Sequence, residues 1–173
     1  MKKLFVFGTA ALLSLAVLSG CGTTRQTPQE KSEAQAQTAR RIQQMLDERA
    51  FDIDIIYMMP LRGSSRAVTG YSITVNGSTI DSHLPYQGQA RNVPNGGGKG
   101  LTFKEEIESY TDSGLKKDSR SIVITVKNEE DNYVYNLEIF DNGEASLHVR
   151  ARNRDSISYR GRMNLDYKKD EVQ

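Results

Sequence analysis

The sequence predicts an α+β fold that is mainly antiparallel β, with one N-terminal α-helix. Over residues 121–160, apolar and polar side chains alternate in four successive runs, the pattern of strands with one buried face. Before them, apolar residues recur at helical spacing over residues 39–50. We therefore expect a meander sheet, either curled or doubled into a two-layer sandwich, with a helix packed against it.

Residues 1–20 are predicted to be a lipoprotein signal peptide. Two lysines precede an apolar run over residues 4–18, which is too short to span a bilayer stably. The run ends in a lipobox at residues 18–21, and Cys21 is the single cysteine of the chain. We expect acylation of Cys21, including by palmitate, and hence anchoring to the membrane. The alternative is an ordinary signal peptide followed by a chance cysteine.

The remaining chain divides into a polar tether and helix start over residues 21–39, one β-rich domain over residues 40–167, and a charged tail over residues 168–173. No disulfide can form within it, so a hydrophobic core must stabilise the domain. Removing the two signal-peptide lysines from 23 basic side chains leaves 21 against 22 acidic ones, a formal charge of −1. This balance argues against nucleic acid as a partner.

The helix has a clear start. Thr27 and Glu30 form a capping box, with Pro28 at the first helical position. The apolar positions come later, at Ala39, Ile42, Met45, Leu46 and Ala50. We therefore expect only the second half of the helix to pack, with the first half solvated or frayed.

A strand and a hairpin are predicted after the helix. The strand alternates over residues 52–61 and would bury Ile53, Ile55, Tyr57, Met59 and Leu61. In the hairpin, a two-residue turn at Asn76 and Gly77 would pair Ile73 with Ile80 on one buried face.

The last two hairpins can be aligned by requiring one buried face. A three-residue connection pairs Ile139 with Leu147, whereas a two-residue turn would expose one apolar set. A loop over residues 153–155 then pairs His148 with Arg160. This register predicts a basic outer face, our candidate anion-binding face, formed by His148, Arg150, Arg152, Arg160 and Arg162. The arginines either spread into water or hold an anion.

A long connection over residues 84–103 separates the two sets of strands. Its candidate structural residues are Leu84, Pro85, Tyr86, Gly88 and Phe103. Glycines over residues 96–100 lack the rest of a phosphate-binding loop, so we interpret them as flexible or tightly packed loop. We favour Tyr86 as an anchor of this loop over a ligand-stacking role. Residues 103–110 fit both helical and strand spacing, and we favour a strand.

Three separated motifs lie in order within residues 51–163. They are Leu84-Pro85-Tyr86-x-Gly88, the stretch from Pro94 through the glycines to Phe103, and Asn153-Arg154-x-x-Ile157-x-Tyr159-x-Gly161. With the lipobox, they resemble the domain of unknown function 4251 family of Bacteroides-type lipoproteins. The resemblance implies an envelope lipoprotein with a mainly β domain and no assigned activity. In that group an acidic cluster after the lipidated cysteine is associated with surface display. Residues 22–25 lack one, which implies an outer-membrane protein facing the periplasm.

Few residues are suited to catalysis. His83 and His148 are the only histidines, and no ligand pair with metal-site spacing exists, so we expect no metal and no cofactor. We therefore predict a non-catalytic binding module whose partner is an envelope protein or an anionic glycan. The alternative is a small envelope hydrolase with an unrecognised active site. The two differ in that an enzyme requires polar groups that converge in a pocket.

Overall fold

The computed structural model describes residues 27–91 and 100–169, which form one helix and eight strands. The predicted signal peptide, Cys21, Pro94, most of the glycine run and the end of the tail lie outside these residues. Helix α1 spans Pro28–Asp47. The strands are β1 Ala50–Pro60, β2 Arg66–Asn76, β3 Thr79–Leu84, β4 Leu101–Lys116, β5 Ser119–Lys127, β6 Asn132–Phe140, β7 Glu144–Ala151 and β8 Ile157–Met163.

The eight strands form a closed antiparallel barrel in chain order. The prediction of a curled meander sheet or a two-layer sandwich was therefore wrong, because β1 pairs with β8 along seven residue pairs, from Ile53 opposite Met163 to Pro60 opposite Ile157. Alternation shows that each strand has one buried face, but it is the same for a sandwich and a barrel. Closure depends on pairing between strands about 100 residues apart, which leaves no sheet edge.

Side chains fill the barrel interior. Buried residues alternate along every strand from β5 to β8, and three tyrosines, Tyr133, Tyr135 and Tyr159, are among the largest fully buried groups. An eight-stranded barrel has an interior just wide enough for such a filling. Ligand recognition is therefore to be sought on the outer surface or at the barrel ends.

Helix α1 closes the lower end of the barrel, where the β2–β3 and β6–β7 turns lie. Its start is as predicted, since the Thr27 hydroxyl accepts from the Glu30 amide at 3.3 Å and the Glu30 carboxylate accepts from the Thr27 amide at 2.7 Å. Its second half buries Ile42, Met45 and Leu46, whereas residues 28–37 are exposed. Within the described residues, no helix combines the length and hydrophobicity needed to cross a membrane.

Arg120 joins the helix to the lower rim of the barrel. Its guanidinium donates to the Asp112 carboxylate through Nε at 2.9 Å, and its Nη1 lies 2.7 Å from Asp47 Oδ1. Nη1 also donates to Gln43 Oε1 at 3.1 Å. The hydrogen bond from Arg120 holds the pKa of Asp112 below its ordinary value.

The predicted hairpin registers are shifted by two residues, although the faces are correct. Ile80 pairs with Val75 rather than Ile73, across a turn at residues 77–78. Likewise Leu147 pairs with Leu137 rather than Ile139, across a three-residue connection over residues 141–143. A two-residue shift returns every side chain to the same face, so burial alone does not distinguish the two registers. The strand prediction for residues 103–110 is confirmed by β4.

Candidate functional site

A shallow groove of about 810 Å³ runs across the outer face of β5 to β8. Its floor carries short polar side chains, including Ser121, Ser146 and Ser158, which alternate with the buried residues of the same strands. Longer side chains rise around them, and Pro60 and Leu61 form an apolar wall on one side. We call this depression the outer groove.

The outer groove is lined by two parallel rows of residues. Within each row, residues on neighbouring strands are paired directly across the β-ladders. The first row is Ser121, Glu138, Ser146 and Arg160, and the second is Val123, Asn136, His148 and Ser158. Neighbouring strands are ~4.8 Å apart, so each row extends over roughly 14 Å. The groove therefore offers a cation, a carboxylate, an imidazole, an amide and several hydroxyls over the length of a small extended ligand.

His148 and Ser158 form the closest polar pair in the groove. His148 Nδ1 lies 2.8 Å from Ser158 Oγ, and the Asn136 amide donates to the His148 carbonyl at 3.4 Å. A serine hydroxyl bound to an imidazole is the arrangement of a nucleophile and its base, and it is also an ordinary cross-strand hydrogen bond. No group of three His, Cys, Asp or Glu side chains among the described residues is arranged to hold a metal ion.

The five residues of the candidate anion-binding face all lie on the outside of the barrel, but only two of them lie in the outer groove. His148 faces Ser158, and Arg160 faces Ser146, so the expected pairing of His148 with Arg160 was wrong by two residues. Arg150 lies one row further along β7, opposite Val134. The face remains the outer one because the shift is even.

The other two arginines of the candidate anion-binding face, Arg152 and Arg162, lie in different surroundings. Arg152 lines a separate pocket of about 380 Å³ with residues 127–132 at the upper end of the barrel. At the opposite end of β8, Arg162 Nη2 lies 3.9 Å from Glu144 Oε1, with both side chains well exposed. The structure therefore divides the predicted basic face into a groove pair, an adjacent Arg150 and two separate arginines.

Two residues that the sequence placed in the core lie beside Arg160 and in the apolar wall of the groove. Tyr57 and Leu61 were expected to be buried, but they are 46% and 59% exposed, and Met58 is buried instead. From Ile55 to Tyr57, β1 advances by two residues while β8 advances by one, from Gly161 to Arg160, which marks a bulge at Ile56. The consecutive isoleucines at 55 and 56, which break strict alternation, were the only signal for it.

The described start of the long connection after β3, residues 85–91, lies at the upper end of the barrel, opposite helix α1. Leu84 is 2% exposed, and the Tyr159 hydroxyl donates to the Pro85 carbonyl at 2.6 Å. The Tyr86 hydroxyl lies 3.1 Å from the Asp155 carbonyl oxygen, and a Cβ added to Gly88 would lie 3.1 Å from Asp155 Cβ. Burial raises the pKa of Tyr159 above its ordinary value, so this hydroxyl remains a donor. Tyr86 thus anchors the loop.

Further contacts at the upper end of the barrel involve Phe103 and the loops before β6 and β8. Phe103 is half-buried, with its ring centre 4.8 Å from that of Tyr133. Arg154 pairs with Glu130 and lies 3.8 Å from Asp131, whose buried carboxylate accepts the Asn153 amide at 3.0 Å. These bonds fix the loops before β6 and before β8 to each other, and they give the cluster a structural role.

Comparison with known proteins identifies the family. The family model described as "Domain of unknown function (DUF4251)" matches residues 33–163, which include every strand of the barrel. The chain belongs to the DUF4251 family. A crystal structure of a DUF4251 family protein from Bacteroides eggerthii DSM 20697 is similar to this DUF4251 domain with a TM-score of 0.60 and 16% sequence identity. The similarity covers 76% of this chain and 89% of that one, and it shows a common fold. No curated protein matches the chain.

The two motifs that are most widely separated in the sequence are in direct contact in this DUF4251 domain. Residues 84–88 supply the Pro85 carbonyl and the Tyr86 ring, and residues 153–161 supply the Tyr159 hydroxyl and the Asp155 carbonyl that meet them. The backbone bond from the Arg91 amide to the Asn153 carbonyl, at 2.8 Å, adds to this contact. The described residues of these two motifs therefore close the upper end of the barrel, and along β8 they alternate with Ser158 and Arg160 of the outer groove.

Proposed function

We propose that this protein is a non-catalytic binding module of the bacterial cell envelope, and that the outer groove binds an anionic ligand. The observation that carries the proposal is the position of Arg160 in a depression floored by hydroxyls. Among the described residues, no acidic group lies within ion-pair distance of its guanidinium. An arginine fork matches a carboxylate or phosphate through two hydrogen bonds.

Two other charged residues of the outer face, Glu138 and Arg162, support the choice of Arg160 as the anion-binding residue. Glu138 shares a row with Arg160 but lies two strands away, or roughly 10 Å, with Ser146 between them. Its carboxylate accepts instead from Ser119 at 3.3 Å. Arg162, on the same face, already has Glu144 as its partner. Arg160 is thus the arginine of the groove whose charge is available to a ligand.

The proposal places the protein on the outer membrane, facing the periplasm and held by lipid at Cys21. Pro28 follows Cys21 by seven residues, which reach at most about 25 Å when extended. The exposed first half of α1 adds about 15 Å. The lower end of the barrel would therefore face the membrane, and the outer groove would open to the side, where envelope polymers can reach it.

Charge reversal at Arg160 in the groove and at the adjacent Arg150 tests the proposal. The double variant Arg150→Glu with Arg160→Glu should bind immobilised polyglutamate and polygalacturonate at least tenfold more weakly, while its Tm stays within a few degrees of the wild type. A matched control, Lys104→Glu with Lys116→Glu, changes two exposed residues of β4 and gives the same net charge. Equal losses in both variants would show that only net charge matters, and unchanged binding would exclude the groove.

A second candidate function rests on the hydrogen bond between Ser158 and His148. If the protein were a small envelope hydrolase, this pair would supply the nucleophile and the base. Ser158→Ala would then abolish turnover of ester or amide substrates while leaving binding intact. In the binding module that we favour, the same variant weakens ligand binding only slightly, and the wild type has no turnover to lose.

A further inference from the structure

We infer that the ligand of the outer groove is a carbohydrate whose sugars carry carboxylates, and that Tyr57 is the surface on which a sugar ring packs. This inference rests on the proposed function and names the ligand class of the same site. It follows from three features: the aromatic residue beside Arg160, the mixture of donors and acceptors in the groove, and the apolar wall.

Tyr57 extends the first row of the groove by one strand. In the β1–β8 ladder it lies directly opposite Arg160, which in turn lies opposite Ser146 in the β7–β8 ladder. The bulge at Ile56 turns Tyr57 outward, and it is 46% exposed. Bulges commonly re-aim a side chain beside a functional site. The row from Tyr57 to Ser121 spans five strands, or roughly 19 Å.

The chemistry of the outer groove suits an acidic sugar better than a simple anion. Arg160 donates to a carboxylate, whereas Glu138 accepts hydrogen bonds only and repels a second negative charge. Ser121, Ser146 and Asn136 both donate and accept, as sugar hydroxyls do. A polyanion without hydroxyls, such as an acidic peptide, would bring negative charge to Glu138 and offer it no hydroxyl donor. An acidic sugar chain supplies a carboxylate to Arg160 and hydroxyl donors to Glu138.

The exposed apolar side chains are concentrated on β1 and directly after it. Of the four large hydrophobic residues that are well exposed in the described part of the chain, Ile56, Tyr57 and Leu61 belong to β1 or follow it directly, and only Leu115 lies elsewhere. Leu61 also lines the groove. Clustered exposed apolar groups mark an interaction surface. The flat face of a pyranose ring carries C–H groups, which pack on an aromatic ring such as that of Tyr57.

The test compares acidic sugars with matched non-sugar and uncharged ligands. The probes are oligomers of galacturonate, glucuronate and mannuronate, the methyl ester of whichever binds most tightly, and polyglutamate. We expect at least one hexuronate oligomer to bind more tightly than polyglutamate. Methyl esterification should weaken its binding about tenfold in the wild type and make no further difference in Arg160→Ala.

Variants of Tyr57 separate the inference from the proposed function. Tyr57→Ala should weaken binding of the hexuronate oligomer about tenfold, the effect of losing one aromatic contact. Tyr57→Phe keeps the ring and should bind the oligomer as tightly as the wild type. Leu115→Ala is the matched control, an exposed apolar residue on β4 away from the groove. If polyglutamate binds as tightly as every hexuronate, or if Tyr57→Ala has no effect, the carbohydrate inference is wrong while anion binding stands. If no anion binds, both proposals are wrong.

Discussion

Replacing Gly161 by alanine should weaken the seam that closes the barrel. A Cβ at this position would lie 2.4 Å from the Asp54 carbonyl oxygen and 2.9 Å from Ile53 Cγ2. Gly161 lies in β8 opposite Ile55 of β1, so both contacts cross the β1–β8 ladder. Because the closer atom belongs to the backbone, rotation of a side chain cannot relieve the contact.

The expected loss of stability follows from that distance. Real Cβ atoms essentially never approach closer than 3.0 Å, so β1 and β8 would have to separate locally by about 0.6 Å. Overpacking of this kind costs ~1–3 kcal/mol, and the lower entropy of the unfolded alanine chain offsets ~0.4–1 kcal/mol. We expect a net loss of about 1–2 kcal/mol. For a domain of this size, that lowers Tm by roughly 3–8 °C.

Urea unfolding followed by circular dichroism measures the loss, and amide hydrogen exchange locates it. In Gly161→Ala, protection should fall first in β1 and β8. Gly114→Ala is the control. A Cβ added to Gly114 would have nothing within 4 Å, but its φ is +70°, so alanine there adds backbone strain alone. A Gly161→Ala protein with wild-type stability, or one whose protection falls equally in all strands, would refute the seam argument.

Three other predictions concern different parts of the molecule. Cys21→Ser should leave an unprocessed precursor without acyl label, and normal maturation would contradict lipid attachment. Leu84→Ala should lower the free energy of unfolding by ~2–5 kcal/mol in urea titrations, and a loss well under 1 kcal/mol would place Leu84 outside the core. Burial raises the pKa of Tyr110 from 10.0 to about 12, so the native state keeps its proton longer than the unfolded chain. Its contribution to stability is therefore complete below pH 10 and is lost as pH rises through 12, and Tyr110→Phe should reduce this alkaline loss in thermal melts.

Apart from the part of β1 that follows its bulge, the strand faces were predictable from the sequence, but the registers and the closure were not. Alternation assigned Ile73 and Ile80 to one buried face, and both are fully buried. It did not fix their partners, because a shift of two residues leaves burial unchanged. Pairing of β1 with β8 has no local signal, since it depends on how strongly all eight strands twist and tilt.

The candidate site was partly predictable for the same reason. His148 and Arg160 were assigned to the outer face by alternation alone, and an even shift preserved that assignment. The bulge in β1 inverted the alternation for the residues that follow it, so Tyr57 and Leu61 were assigned to the wrong side. A rule with a period of two fails after an odd insertion, and this insertion lies beside the groove.

The family motifs and the outer groove use opposite faces of the same strand. Along β8, Ile157, Tyr159 and Gly161 of the third motif are buried, and Ser158 and Arg160 alternate with them on the outside. The described residues of the first and third motifs therefore fill the barrel and close its upper end. Membership of the family specifies the barrel without specifying what its outer face binds. Binding measurements on variants of the outward residues, rather than of the motif residues, are the direct way to assign a function to this chain.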